Sequence, residues 1–178
     1  MRVNVIFTLT GKDRVGLVEE VTRLLLELGG NVETSRMARL GGEFAILVLV
    51  SMPSEQLAGL DKTANRLTAE GFKVTTTQTE PTQAAMPPGS KPYQIEVQGA
   101  DHEGIVHEIA RSLAERGINI ESMETGTVRA PISGSPLFTM TARVTVPPGL
   151  VDQAWEAALE EAGHRLNVDV EVSPLEPE

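Results

Sequence analysis

The chain contains no cysteine. That absence removes disulfides, thiolate nucleophiles, thiolate zinc sites and iron–sulfur clusters together. Aromatic residues make up only 3% of the 178 residues, which leaves little for stacking on single-stranded nucleic acid or gripping a flat cofactor. Positive charge is not in surplus either. The 15 basic residues against 25 acidic ones give a net charge of −10, the reverse of what phosphate neutralisation demands. No apolar run approaches the roughly 20 residues that span a bilayer, and Met1-Arg2-Val3-Asn4-Val5 opens like a strand rather than a signal peptide. A cytoplasmic location is therefore expected. What is present is an ordinary globular composition, 40% hydrophobic, in a chain long enough for one domain of usual size or two small ones.

Sliding the chain against itself reveals an internal repeat at an offset of 88. Gly11, Asp13, Gly16, Val18, Glu20, Leu25, Gly29, Asn31 and Glu33 fall on Gly99, Asp101, Gly104, Val106, Glu108, Leu113, Gly117, Asn119 and Glu121. Later the offset becomes 94, where Phe44 matches Phe138 and Pro53 matches Pro147. The second copy thus carries six extra residues, within Ala130 to Pro136. Between the copies, residues 81–92 hold four prolines and no apolar period, the pattern of a linker. Two domains are expected, at 1–80 and 93–173, with a short tail at 174–178.

Within the first copy, Val3, Val5, Phe7 and Leu9 alternate as in a strand, and Val18, Val21, Leu25 and Leu28 recur as on one face of a helix. Gly29 or Gly30 ends that helix. A strand from Asn31 to about Leu40 turns at Gly41-Gly42 and returns from Glu43 to Ser51 as a hairpin. Ser54 is placed to cap a second helix carrying Leu57, Leu60, Ala64 and Leu67. Gly71 stops that helix before a strand from Lys73 to Thr79. The second copy repeats the order with Ile105, Ile109 and Leu113, then Val151, Trp155, Ala158 and Ala162, before a last strand from Arg165 to Val172. The fold class is α+β: two ferredoxin-like βαββαβ sandwiches with antiparallel sheets. In Phe44 to Leu49 both alternating sets are apolar, whereas a sheet covered on one side should alternate. A sister sheet or a second chain is expected on the other face, and with it a homodimer or larger assembly.

The loops after the first strand of each copy read Thr10-Gly11-Lys12-Asp13-Arg14-Val15-Gly16 and Gln98-Gly99-Ala100-Asp101-His102-Glu103-Gly104. Each leads into a helix N-terminus, whose unpaired amides and dipole favour a small carboxylate. Gly16 and Gly104 permit close approach, Asp13 and Asp101 supply an anion, and Asn31 and Asn119 supply an acceptor and a donor. These are the groups that an α-amino acid requires. Asp is equally a helix cap and Asn a turn residue, so a purely structural role stands beside the ligand-binding one.

The pattern Gly-x-Asp-x-x-Gly-Leu/Ile-Val, a helix, then Gly-x-Asn-Val/Ile, at residues 11–32 and 99–120, resembles the ACT-domain family. The tandem arrangement, with the extra segment leading to Leu137 and Phe138, is similar to the glycine cleavage system transcriptional repressor group of that family. The resemblance implies ligand sites at domain interfaces and regulation by amino acids. Carried over by position, it nominates Gly11, Asp13, Gly16 and Asn31, with Gly99, Asp101, Gly104 and Asn119. Where the family usually has proline before the last loop glycine, this chain has Val15 and Glu103.

No catalytic constellation is legible. His102 and His107 are five apart, which is not a same-face helical metal pair, and Ser133-Gly134-Ser135 lacks the surroundings of a nucleophile elbow. The glycines around Gly11 and Gly16 form neither a P-loop nor a dinucleotide fingerprint. Residues 1–80 carry 9 basic and 10 acidic groups, whereas residues 81–178 carry 6 and 15. The excess, including Glu156, Glu160 and Glu161, serves as a solvated face or as a surface for a basic protein partner. The expectation is a protein that is not an enzyme, has no cofactor or metal and does not bind nucleic acid or membrane. It senses a small amino acid and acts through a protein partner, plausibly in the transcriptional regulation of amino-acid (glycine) metabolism. The alternatives are a regulatory subunit of an amino-acid biosynthetic enzyme and a ligand-free dimerisation scaffold.

Overall fold

The computed structural model describes residues 1–80, 87–130, 134–150 and 155–176. The chain divides into two compact units, Met1–Gln83 and Ala84–Glu178. In the first, β1 (Arg2–Lys12) leads through a loop to α1 (Leu17–Glu27). The hairpin β2 (Asn31–Leu40) and β3 (Glu43–Pro53) follows, then a 3-10 turn at Ser54–Gln56, α2 (Leu57–Ala69) and β4 (Lys73–Thr79). The strands form one antiparallel sheet in the order β2-β3-β1-β4. The second unit repeats the plan with β5 (Lys91–Ala100), α3 (Ile105–Ala114), β6 (Asn119–Arg129), β7 (Pro136–Val146), α4 (Trp155–Arg165) and β8 (Val168–Pro174). Its sheet order is β6-β7-β5-β8. This is the expected βαββαβ arrangement, twice.

Each core lies between one sheet face and its two helices. Val5, Phe7 and Leu9 of β1 and Ile46, Val48 and Val50 of β3 pack against Leu17, Val21 and Leu25 of α1 and Leu60 and Leu67 of α2. Ile95 and Val97, with Met140, Ala142 and Val144, meet Ile105, Ile109 and Leu113 of α3 and Trp155 and Leu159 of α4. Trp155 sets its ring edge-on to Tyr93, 5.3 Å between centroids, the electrostatically preferred contact of two aromatic rings.

Two local expectations change. Ser54 does not cap the second helix; its amide donates to Met1 O at 2.9 Å, and α2 begins after the 3-10 turn, with Gln56 at the cap position and no side-chain cap. In the second unit α4 runs to Arg165, where sequence reading began the last strand, because Leu159 and Ala162 keep the helical stripe buried to its end. Asn167, with φ of 50°, turns the chain, as its short polar side chain tolerates, and β8 starts at Val168. On the face of β3 opposite the core, Leu47 is 47% exposed. Val151 lies outside the described residues.

Candidate functional site

The strand–helix loop of each unit ends on a glycine with left-handed backbone, φ 87° at Gly16 and 95° at Gly104. Each is the N-cap of its helix, and neither helix has a side-chain cap. A β-carbon at either position would meet nothing within 4 Å. The backbone angle therefore dictates glycine here, and the space in front of the helix end is open. Gly16 O accepts from the Glu20 amide at 2.9 Å and Gly104 O from Glu108 at 3.0 Å, so the two turns are built alike. Uncapped amides at a helix N-terminus form a positive end suited to a carboxylate.

Gly11 and Gly99 have a different reason. A β-carbon on Gly11 would lie 2.5 Å from Phe72 Cδ1, and one on Gly99 would lie 2.7 Å from Val168 Cγ1 and 2.8 Å from Asn167 O. The absent side chain lets the turn before the last strand of each unit lie directly on the first strand. Packing accounts for both residues.

Asp13 leaves the end of β1. Its amide donates to Gly42 O in the β2–β3 turn at 3.0 Å, and its carboxylate faces Arg39 Nε at 3.6 Å. The amide of Asp101 makes the equivalent bond to Pro136 O at 3.3 Å. The loops are thus anchored to the hairpins, and the Asp13 anion already has a partner. Asn31 and Asn119 open β2 and β6 at the other end of each sheet. Asn31 is in register with Ser51, which pairs with Asn4, whereas Lys12 beside Asp13 pairs with Glu43. At about 3.3 Å per residue, the eight steps from Asn4 to Lys12 place Asn31 roughly 26 Å along the sheet from Asp13. In the second unit Asn119 pairs with Thr145 opposite Pro92, and Asp101 lies beyond the other end of β5. A single unit does not bring its Asp and Asn together.

The two Asn environments also differ. Asn119 Nδ2 donates to Glu121 Oε1 at 2.5 Å, and Thr145 Oγ1 donates to the same oxygen at 3.1 Å. In the first unit Ser51 Oγ instead accepts from Arg2 Nε at 3.0 Å, and Arg2 also reaches Gly29 O. Glu33 and Glu121, matched in the repeat, each occupy the register shift of a β-bulge. Their shared identity was visible in the sequence, but a bulge depends on pairing with a distant strand and was not. Arg14 and His102 stand in the strand–helix loops in the sequence, but the sequence pattern assigned Arg14 no role and only excluded His102 from a helical metal pair.

The fold with its helix-end loops defines a regulatory-domain class. Residues 4–76 and 93–159 each match the ACT domain family, and the chain belongs to that family as a tandem pair. It is 27% identical over 175 residues to the phosphoserine phosphatase of Mycobacterium tuberculosis, covering 96% of this chain and 41% of that protein. It is 26% identical over 122 residues to the glycine cleavage system transcriptional repressor of Escherichia coli, 68% of this chain and 64% of the repressor. The chain thus spans less than two thirds of both curated relatives. A crystal structure of an unknown protein from Galdieria sulphuraria superposes with a TM-score of 0.85 at 34% identity, covering 99% of this chain and 100% of the other. Among the described residues no group of three or more His, Asp or Glu could hold a metal, and no helix is long and apolar enough to cross a membrane.

Proposed function

We infer that this chain is an amino-acid-sensing regulator that acts through a protein partner, in the transcriptional control of amino-acid metabolism and of glycine metabolism in particular. One observation carries the reading: the same uncapped helix N-terminus behind a left-handed glycine recurs in both units, so each offers backbone donors to a carboxylate. Because Asp13 and Asn31 lie at opposite ends of a sheet, the reading has the ammonium and carboxylate of one ligand held by groups from two chains, the Asp loop of one and the Asn of its partner. Leu47, 47% exposed beside the partly buried Ala45 and Leu49, favours a homodimer covering that face. The repressor relative supports the transcriptional context, and the acidic net charge favours DNA contact by a partner over contact by this chain. Thermal unfolding against the twenty amino acids tests the reading. A cognate ligand at 100 times its Kd raises stability by about 2.7 kcal/mol; a panel without any shift overturns it in favour of a ligand-free scaffold.

A further inference from the structure

The same position of the strand–helix loop carries a cation in both units, and in both it reaches the turn before the last strand. Arg14 and His102 are related by the repeat offset of 88. Arg14 pairs with Glu20, comes within 4.0 Å of Glu70, and holds its guanidinium 5.6 Å from the centre of the Phe72 ring, a cation–π distance. In the second unit, both ring nitrogens of His102 face carbonyl oxygens: Nδ1 that of Glu103 at 3.0 Å and Nε2 that of Leu166 at 2.6 Å. Leu166 precedes Val168, the residue against which Gly99 packs, as Glu70 precedes Phe72, the residue against which Gly11 packs. The two cations therefore bridge equivalent places.

A neutral imidazole has one N–H and one lone pair. Two carbonyl oxygens satisfy both nitrogens only when both are protonated. We propose that Arg14 and His102 are positioning residues that latch the strand–helix loop to the turn before the last strand, permanently in the first unit and only as imidazolium in the second. The second candidate loop is thereby pH-sensitive and the first is not. This holds whether or not either loop takes an amino acid, because it rests on contacts within each unit.

Of the charges near the imidazole, that of Asp101 favours the cation, while Glu108 is paired with Arg111 and the like charge of Arg165 opposes the cation. Asp101 and Glu103 flank it on its own loop, Glu108 stands on α3, and Arg165 and Asp169 flank the turn that it contacts. Contacts with the carbonyls of Leu166 and then Glu103 raise its pKa above the ordinary value of 6.5; desolvation opposes them, and the Asp101 charge adds a smaller rise. A raised value means that the latch contributes fully below the ordinary histidine pKa and is lost as pH climbs through the folded one.

The test uses the full chain without ligand. Imidazole nitrogen NMR should show His102 titrating above the ordinary histidine value. Amide exchange, corrected for intrinsic rate, should show protection at Asp101 and Glu108 falling roughly two- to fivefold between about pH 6 and about pH 9, the scale of one exposed charged contact. Protection at Asp13 and Glu20, their counterparts, should stay level. His102→Gln should remove the pH dependence by lowering protection throughout, and Arg14→His should transfer the dependence to the first unit. A second-unit loop with level protection, or a His102 titrating at or below the ordinary histidine value, overturns the latch. So does an Arg14→His loop that stays level while the variant keeps its circular dichroism spectrum.

Discussion

Replacing Gly99 with alanine places a β-carbon 2.7 Å from Val168 Cγ1 and 2.8 Å from both Asn167 O and Val168 Cα. Two of these three neighbours are backbone atoms of the turn into β8 and cannot rotate away. At Gly11 the nearest contact is the Phe72 ring, 2.5 Å away at Cδ1, while the nearest backbone atom is 3.4 Å away, so a tilt of one side chain relieves much of the overlap. Overpacking costs about 1–3 kcal/mol, and alanine returns about 0.4–1 kcal/mol by restricting the unfolded chain. Gly99→Ala should therefore lose about 2 kcal/mol and Gly11→Ala about 1 kcal/mol net. A loss of 1 kcal/mol moves the midpoint of a unit this size by roughly 4–8 °C. Gly42, with nothing within 4 Å and no positive φ, serves as the neutral control. Scanning calorimetry of the three variants reads the order directly. Wild-type unfolding of Gly99→Ala, or a larger loss at Gly11 than at Gly99, refutes the packing explanation. Normal unfolding with amino-acid binding abolished would return both glycines to the ligand site.

Asn31→Ala should weaken amino-acid binding by roughly ten- to a hundredfold, the worth of one hydrogen bond to a charged group, with little effect on melting. Asn119→Ala should lower the melting temperature of its unit as well, because Glu121 loses a donor; calorimetric titration beside scanning calorimetry separates the two, and unchanged affinity in both removes them from the site. Leu47→Glu should convert a dimer of the 19.1 kDa chain to monomers in sedimentation, since the new charge would be buried unpaired at the interface; an unaltered sedimentation pattern places the interface elsewhere. The purified chain should not shift duplex DNA at physiological salt, and tight sequence-selective binding would contradict regulation through a partner.

Much of the fold was legible because it rests on local rules. The strand period of Val3 to Leu9 appears as β1, and a helix forms where the apolar stripe was read, although α1 buries Leu17, Val21, Leu24 and Leu25 and leaves Val18 exposed; Gly41, with φ of 64°, turns the hairpin as its missing β-carbon allows. The repeat doubled every such signal. What could not be read depends on pairing across the sheet. Asn31 and Asp13 are eighteen residues apart in sequence and were expected to share a ligand, yet α1 carries the chain back along β1, so they end at opposite edges of the unit. Gly11 showed itself only as a shared identity, because its reason, Phe72, arrives from the far end of the domain. The α4 boundary was missed where a short polar run after Ala162 carried no period, and only burial of the helix face carries the helix on to Arg165.

The separation of Asp from Asn makes each ACT unit a directional object, with an acidic loop at its head and an amide at its tail. Two such objects joined head to head leave both tails unused, and joined in a row they leave one of each free to recruit another neighbour, the route to an open fibre. Laid antiparallel about a two-fold axis, they satisfy both ends at once and stop growing. In the proposed two-fold pair of chains, ligand sites would come in twos, and filling one would tighten the joint on which the other depends. Sigmoidal uptake is the expected corollary of that pairing.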